Sequence, residues 1–333
     1  MKKIFSLMCG MAIALFCTNT MMAQNEASTA TLQHGETVQV FNGASALVNA
    51  NAAAVDGDVI TLSEGVFNTI TITKSIAIYG AGFEANETTG TAVSTINGAV
   101  GLGISGQTLA GVHLEGLYIN GNLNIGAGVT DAPVSNLTIT KVSMGLVYPQ
   151  SSFSLVYFDQ CILRGGIDAP TWSAYVVADN MFLTNCFLTG RIGNMVSGNI
   201  KIDHCVLGDF NFFEIPASVL VTNTVMYYPT MWAYAMPSHV ICRNCICPQT
   251  VTGENIYQVE LGNIFADAAD AAYTPTRTFE LQQPETWVGT DGTEIGIRGG
   301  NGWGKMPATP VVKNLQLQVN GAMLNVTYDA EVR

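Results

Sequence analysis

The sequence predicts an all-β fold: a parallel β-helix, a solenoid in which short strands wind into stacked coils. Three observations carry the prediction. An eight-residue pattern recurs through the middle of the chain, as "VYFDQCIL" from Val156, "MFLTNCFL" from Met181, "IKIDHCVL" from Ile200, "VLVTNTVM" from Val219 and "VICRNCIC" from Val240. Its sixth position falls at Val142, Cys161, Cys186, Cys205, Thr224 and Cys245, in steps of 19, 25, 19, 19 and 21 residues. Runs this short, repeated at this period without helical periodicity between them, are the signature of a β-helix. The third observation is composition: charged residues are only 11% of the chain against a usual value of about 25%. Its polar groups are therefore expected in repeated turns and ladders instead of on charged helices.

The first 23 residues, "MKKIFSLMCGMAIALFCTNTMMA", pair a basic start with an apolar run and a small residue at Ala23. They read as a secretory signal peptide cleaved after Ala23, which places the protein outside the cell or in the cell envelope. Nothing later is apolar for long enough to span a bilayer. Without the leader, 11 basic residues face 25 acidic ones, a formal charge of −14. That balance argues against nucleic acid as a partner.

Residues 24–58 are expected to form an N-terminal strand and a capping helix, the latter from the Ala-rich amphipathic run Ala44 to Val55. A β-helix exposes a sheet edge at each end, and uncovered edges invite aggregation. The β-helix itself is assigned to residues 59–303, opening with "VITLSEGVF"; "VHLEGLYI" from Val112 and "LTITKVSM" from Leu137 are degenerate coils. Residues 304–333 follow as a β-hairpin, two alternating runs around Asn320-Gly321 that are expected against the last coil.

Within each coil, the first and third positions point inward and the fifth makes a bend. Gln160, Asn185, His204, Asn223 and Asn244 fill that bend. Asn tolerates left-handed backbone angles, and its amide both donates and accepts along a stack. The sixth position points inward again, where Cys suits the slot as a small, soft apolar group. Stacking coils about 4.8 Å apart then superimposes Cys161, Cys186, Cys205 and Cys245 in one interior column and Asn185, His204, Asn223 and Asn244 in another. The spacing Cys242-x-x-Cys245 also occurs in metal knuckles and redox pairs, but a knuckle needs a second ligand pair, which this sequence lacks. Six free, buried thiols are expected, with no metal and no cofactor.

The stretch "ALVNANAAAVDGDVITLSEGVF" is similar to the opening of secreted proteins of the pectin-lyase-like superfamily, through Ala46, Leu47, Ala50, Gly57, Asp58, Ile60, Leu62, Gly65 and Phe67. "FELQQPETWVGTDGTEIGIRGG" resembles the segment that closes many exported bacterial β-helix proteins of the Bacteroides type, although "QQPETW" replaces the usual Ser-Pro-Ala-Ile run. The resemblance covers about residues 44–300 and implies a right-handed β-helix. It also implies action on, or binding of, polysaccharides.

A lyase of this kind needs a basic residue to abstract a proton beside a uronate, and a cation to neutralise the carboxylate. The basic residues of the coils scatter, and only Arg164 and Arg191 follow the Cys column at similar offsets. Ile202-Asp203-His204 echoes a pectate-lyase stretch, but His204 fills the bend that holds asparagine on adjoining coils. His34, His113 and His239 have no motif. Hydrolases of this fold need paired carboxylates, and the Asn-Thr-Asp, Asp-Asp, Gly-His-Gly and Arg-Ile-Lys signatures of polygalacturonases are absent. Asp168, Asp209 and Glu214 lie on successive coils.

Aromatic residues cluster where the chain leaves the second strand: Tyr148, Trp172, Tyr175, Phe212, Tyr227, Tyr228, Trp232 and Tyr234. Flanked by Arg164, Arg191, Asp168 and Glu214, Trp172, Trp232 and Tyr228 are the candidate residues of a glycan-binding face, since sugars offer apolar faces to rings. Packing of loops against the solenoid accounts for the same rings. The expectation is a non-catalytic exported protein presenting a carbohydrate-binding or adhesive face, with a divergent polysaccharide lyase or glycoside hydrolase as the alternative.

Overall fold

In a computed structural model the chain winds into a parallel β-solenoid of about 8 turns, with one short helix near its N-terminus. The structure describes residues 28–86, 91–170, 176–213, 218–227, 240–248, 251 and 253–304, together with the backbone of strands Val311–Asn320 and Met323–Glu331.

Each coil contributes to three parallel faces. The first carries Phe153–Asp159, Val177–Thr184, Ser197–Asp203 and Ser218–Thr222, paired in register coil upon coil. The second begins two residues past the bend, with Ile162 against Phe187, Phe187 against Val206 and Val206 against Val225. The third pairs Gly166–Asp168 with Arg191–Gly193, and those with Phe210–Phe213 across a one-residue register shift. Val156, Phe158, Cys161, Leu163, Met181, Leu183, Cys186 and Leu188 point inward and are almost fully buried, the alternation of strands whose inner face is a core.

The bend is a single left-handed residue on each coil. Lys141, Gln160, Asn185, His204, Asn223 and Asn244 all have φ between 48° and 54°. Four of these six are Asn or His, side chains that tolerate this region better than most. A second left-handed column, at Asn136, Leu155 and Asn180 with φ of 49°, 52° and 58°, stands just before the first position of the repeat.

At the N-terminal end, helix α1 (Ala46–Ala53) buries Ala46, Leu47 and Ala50 against the first coil. It is shorter by two residues at each end than the run expected from the sequence. A hairpin of Thr29–His34 and Thr37–Asn42 shares the capping, because Thr29–His34 pairs antiparallel with the opening strand Val59–Leu62. The strands Val311–Asn320 and Met323–Glu331 pair antiparallel into a two-stranded sheet of their own.

Candidate functional site

The inner column positions the coils that build the site. Cys161, Cys186, Cys205, Cys242, Cys245 and Cys247 are all buried free thiols. The sulfurs do more than fill space. The backbone N–H of Cys161 donates to Sγ of Cys186, and that of Cys186 to Sγ of Cys205, each at 3.4 Å. Cys186 Sγ in turn donates to the carbonyls of Thr184 and Phe158, at 3.2 and 3.4 Å. At Thr224 a hydroxyl takes over: the Cys205 N–H donates to its Oγ1 at 3.2 Å, and Oγ1 donates to the Thr222 carbonyl at 2.7 Å. The bend turns the sixth residue's N–H away from the strand ladder, and a buried N–H needs an acceptor. A side chain that both accepts and donates therefore belongs here. Burial pushes the Cys186 thiol well up, and its bonds with Cys161 and Cys205 act in the same direction, which keeps it a donor.

The outer column differs from the self-stacking ladder expected of it. The side chains of Asn244, Asn223, His204, Asn185 and Gln160 reach sideways to residues 288–304, which run back down the stack. Asn244 Nδ2 donates to the Val288 carbonyl at 3.1 Å. Asn223 accepts from the Thr290 N–H at 2.8 Å and donates to Thr290 Oγ1 at 3.1 Å. His204 Nε2 meets Thr293 Oγ1 at 3.1 Å. Asn185 Nδ2 donates to the carbonyls of Ile297 and Gly299, at 2.9 and 2.7 Å, and Gln160 accepts from the Gly304 N–H at 2.8 Å. Bonds between adjacent coils are few; Asn255 Nδ2 to Asn244 Oδ1, at 3.3 Å, is one. The segment carries backbone groups that pair with no strand, so the amides satisfy them. Gly299 permits the close approach, because a Cβ there would lie 1.8 Å from the Glu294 carbonyl and 2.6 Å from the His204 ring. His204, its side chain 4% exposed, thus sits beneath this strap with Asp203 and Asp291 carboxylates at 3.3 and 3.5 Å.

The strap belongs to a layer that covers the second face. Ile162, Phe187, Val206, Val225 and Ile246, the seventh residues of their coils, point outward yet are buried under Ile264, Phe265, Phe279, Leu281, Trp287, Ile295 and Ile297. The signal for this layer was present in the repeat: apart from Thr224, positions six to eight are apolar, the pattern of a strand covered on both sides. Arg277, 8% exposed, holds the layer's far loop through Asp267 and Asp270, at 3.1 and 2.9 Å.

Where this layer ends, a pocket of about 540 Å³ opens between it and the solenoid. Arg164, Phe187, Thr189, Gly208, Asp209 and Tyr227 line it from the coils, and Asp270, Ala271, Ala272 and Tyr273 form its lip. Gly208 lets the lip settle onto the coil, because a Cβ there would stand 2.7 Å from the Ala271 carbonyl. The lip is pinned by Tyr227, which donates to the Ala269 carbonyl at 3.1 Å, and by Tyr273, which donates to Glu84 at 2.7 Å. Burial raises both phenols, helped by Asp270 at Tyr227 and by Glu84 at Tyr273, so both remain protonated donors. Arg164 is tied down on three sides. Its Nη1, Nη2 and Nε donate to the Tyr118 hydroxyl, the Ile119 carbonyl and the Met144 carbonyl, at 2.5, 2.7 and 3.1 Å, and its guanidinium lies 4.5 Å from the centre of the Tyr118 ring.

Of the residues singled out from sequence, Arg164, Asp209 and Tyr227 line this pocket. Arg191 and Asp168 stand on the third face, where Arg191 Nη2 meets Asp168 Oδ2 at 2.5 Å and Asn194 donates to Asp168 Oδ1 at 2.9 Å. Trp172, Trp232, Tyr228 and Glu214, with Tyr175, Tyr234 and His239, lie outside the described residues. His113 and His34 pair with Glu115 and Asp58, at 3.1 and 2.7 Å. Sequence reasoning missed Phe187 and Thr189 as lining residues and the whole lip, whose "DAAY" carries no motif. Among the described residues, no group of three or more His, Cys, Asp or Glu is placed to hold a metal ion, and no helix is long and apolar enough to cross a membrane.

No protein-family model matches the chain, and no curated protein matches it. Fold and pocket define the protein as a β-solenoid with a covered second face and a lipped cavity at the margin of that cover.

Proposed function

We propose that this is an exported β-helix protein of the pectin-lyase-like type that binds carbohydrate at the cell envelope without catalysing its cleavage. The observation that carries the reading is the pocket beneath the lip. Its volume lies in the range of roughly 300–1,000 Å³ typical of ligand sites, and it combines apolar walls with a few convergent polar groups. Phe187, Tyr227 and Tyr273 supply ring surface of the kind that receives the apolar face of a sugar, while Thr189, Asp209 and Asp270 supply polar edges for its hydroxyls. A leader ending at Ala23 supports export, and mass spectrometry of the exported protein is expected to show Gln24 as its first residue.

The test is calorimetric titration of the chain from Gln24 with a panel of neutral and acidic oligosaccharides. Binding is expected, with a loss of at least tenfold in Tyr227→Ala at a melting temperature within about 3 °C of wild type; unchanged affinity in that variant would remove the pocket from the account. One observation favours an enzyme instead, namely that two carboxylates, Asp209 and Asp270, share the pocket. Following the same mixtures for new reducing ends and unsaturated products separates the two readings.

A further inference from the structure

Resting on the reading of the pocket as a glycan site, we infer that it selects neutral pyranosides, such as hexose or N-acetylhexosamine units, over uronates. Recognition of a uronate needs a cation that can turn toward the sugar's carboxylate, commonly a bidentate guanidinium. Among the described residues, the only basic one lining the pocket is Arg164. Its guanidinium is held by Tyr118, Ile119 and Met144 and stacked on the Tyr118 ring. Turning it toward a ligand breaks all of those contacts. Arg277, whose partner Asp270 forms part of the lip, is 8% exposed and engaged with Asp267 and Asp270, so it neutralises the lip.

The acids are placed the other way. Asp209 is exposed at the pocket wall and enters no ion pair among the described residues, while the Asp270 side chain is 62% exposed at the lip. Since Arg277 already pairs with Asp270, the repulsion comes from Asp209: a second carboxylate brought beside it loses hydration without gaining a partner. The chain's net charge of −12 adds a field that slows the approach of polyanions. A neutral pyranoside meets none of these penalties. Its C–H face lies on Phe187, Tyr227 and Tyr273, and its hydroxyls donate to the carboxylates.

The experiment titrates the chain from Gln24 with neutral gluco- and N-acetylgluco-oligosaccharides and with oligogalacturonides of matched length, at low and at moderate salt. Neutral ligands are expected to bind at least tenfold more tightly, with the gap narrowing as salt rises. Asp209→Asn tests the cause: Asn suits the left-handed backbone that Asp209 adopts at φ 44°, so the fold is kept. In that variant uronate affinity is expected to rise several-fold while neutral affinity changes less than about threefold. A thermal melt, with Asp270→Asn as a second variant, covers a change in folding. Uronates binding as tightly as neutral sugars would overturn the selectivity while leaving the pocket a glycan site. Failure of every saccharide to bind would remove the glycan reading itself.

Discussion

At the sixth position, Cys186, Cys205 and Thr224 do the same work: each accepts an N–H from the coil before and donates to a carbonyl of its own strand. Alanine does neither. Cys205→Ala is therefore expected to orphan the buried N–H of Cys186, costing about 1–3 kcal/mol beyond the small cavity it leaves, whereas Cys205→Thr should cost much less; urea unfolding of the two variants measures the difference. Leu155 is the opposite case. It is a leucine at φ 52°, 43% exposed, where the neighbouring coils place Asn136 and Asn180. Left-handed angles cost an ordinary residue about 1–2 kcal/mol, so Leu155→Asn is expected to raise the unfolding midpoint.

Asp203 gives the residue scale a pH dependence. Burial pushes its carboxyl up, but bonds from His204, Thr222 and Lys201 and the Lys201 ammonium outweigh burial and hold it well below the usual carboxylate range. A depressed folded value stabilises the native state above the unfolded value of about 3.9, and that stabilisation is lost as pH falls toward the folded value. Asp58, Asp267 and Asp291 are shifted in the same direction. The melting temperature should stay level from neutrality to about pH 5 and fall below it, less steeply in Asp203→Asn. Asp159, raised mainly by burial, has the reverse sign: Asp159→Asn should stabilise at neutral pH and have no such effect below the unfolded value.

At the scale of elements, the strap of residues 288–304 packs into the same apolar layer as Ala271 of the pocket's lip. It contains no strand, and the side-chain bonds from the fifth-position column fasten it coil by coil. Asn223→Gly tests that role, because glycine keeps the bend at φ 51° while removing the amide that meets Thr290 and, on the adjacent coil, Asp203. Faster hydrogen exchange is expected from residues 289–296, with the coil strands unchanged. Uniform loss of protection would mean that the bend, not the strap, needs the side chain. The coils were legible in the sequence because residues such as Asn185, Cys186 and Phe187 repeat their environment at each turn, and repetition makes a register visible. The lip was not, and the strap showed only as a segment resembling one that closes other solenoids, because their partners lie 42 to 189 residues away and no local pattern marks which distant side chains take the backbone bonds. The apolar seventh residues did announce a cover, without saying which segment supplies it.

For the whole molecule, the two columns act as one device. Sulfur and hydroxyl groups close the backbone bonds inside each bend, amides on the outside gather the return segment, and the layer this segment joins seals the second face and builds the lip. The edges follow the same economy at the N-terminus, where the hairpin of Thr29–His34 and Thr37–Asn42 takes over from Val59–Leu62. Val38 and Val40, each 59% exposed, mark the strand that is left open there.

Counting reactive thiols in the folded and the unfolded protein, by intact mass after alkylation without reductant, tests the stacked interior most directly. The chain from Gln24 should take no label when folded and six when unfolded in denaturant. Labelling of Cys161, Cys186, Cys205 or Cys245 in the folded protein, or fewer than six labels after unfolding, would contradict the column of buried free sulfurs on which the coils are built.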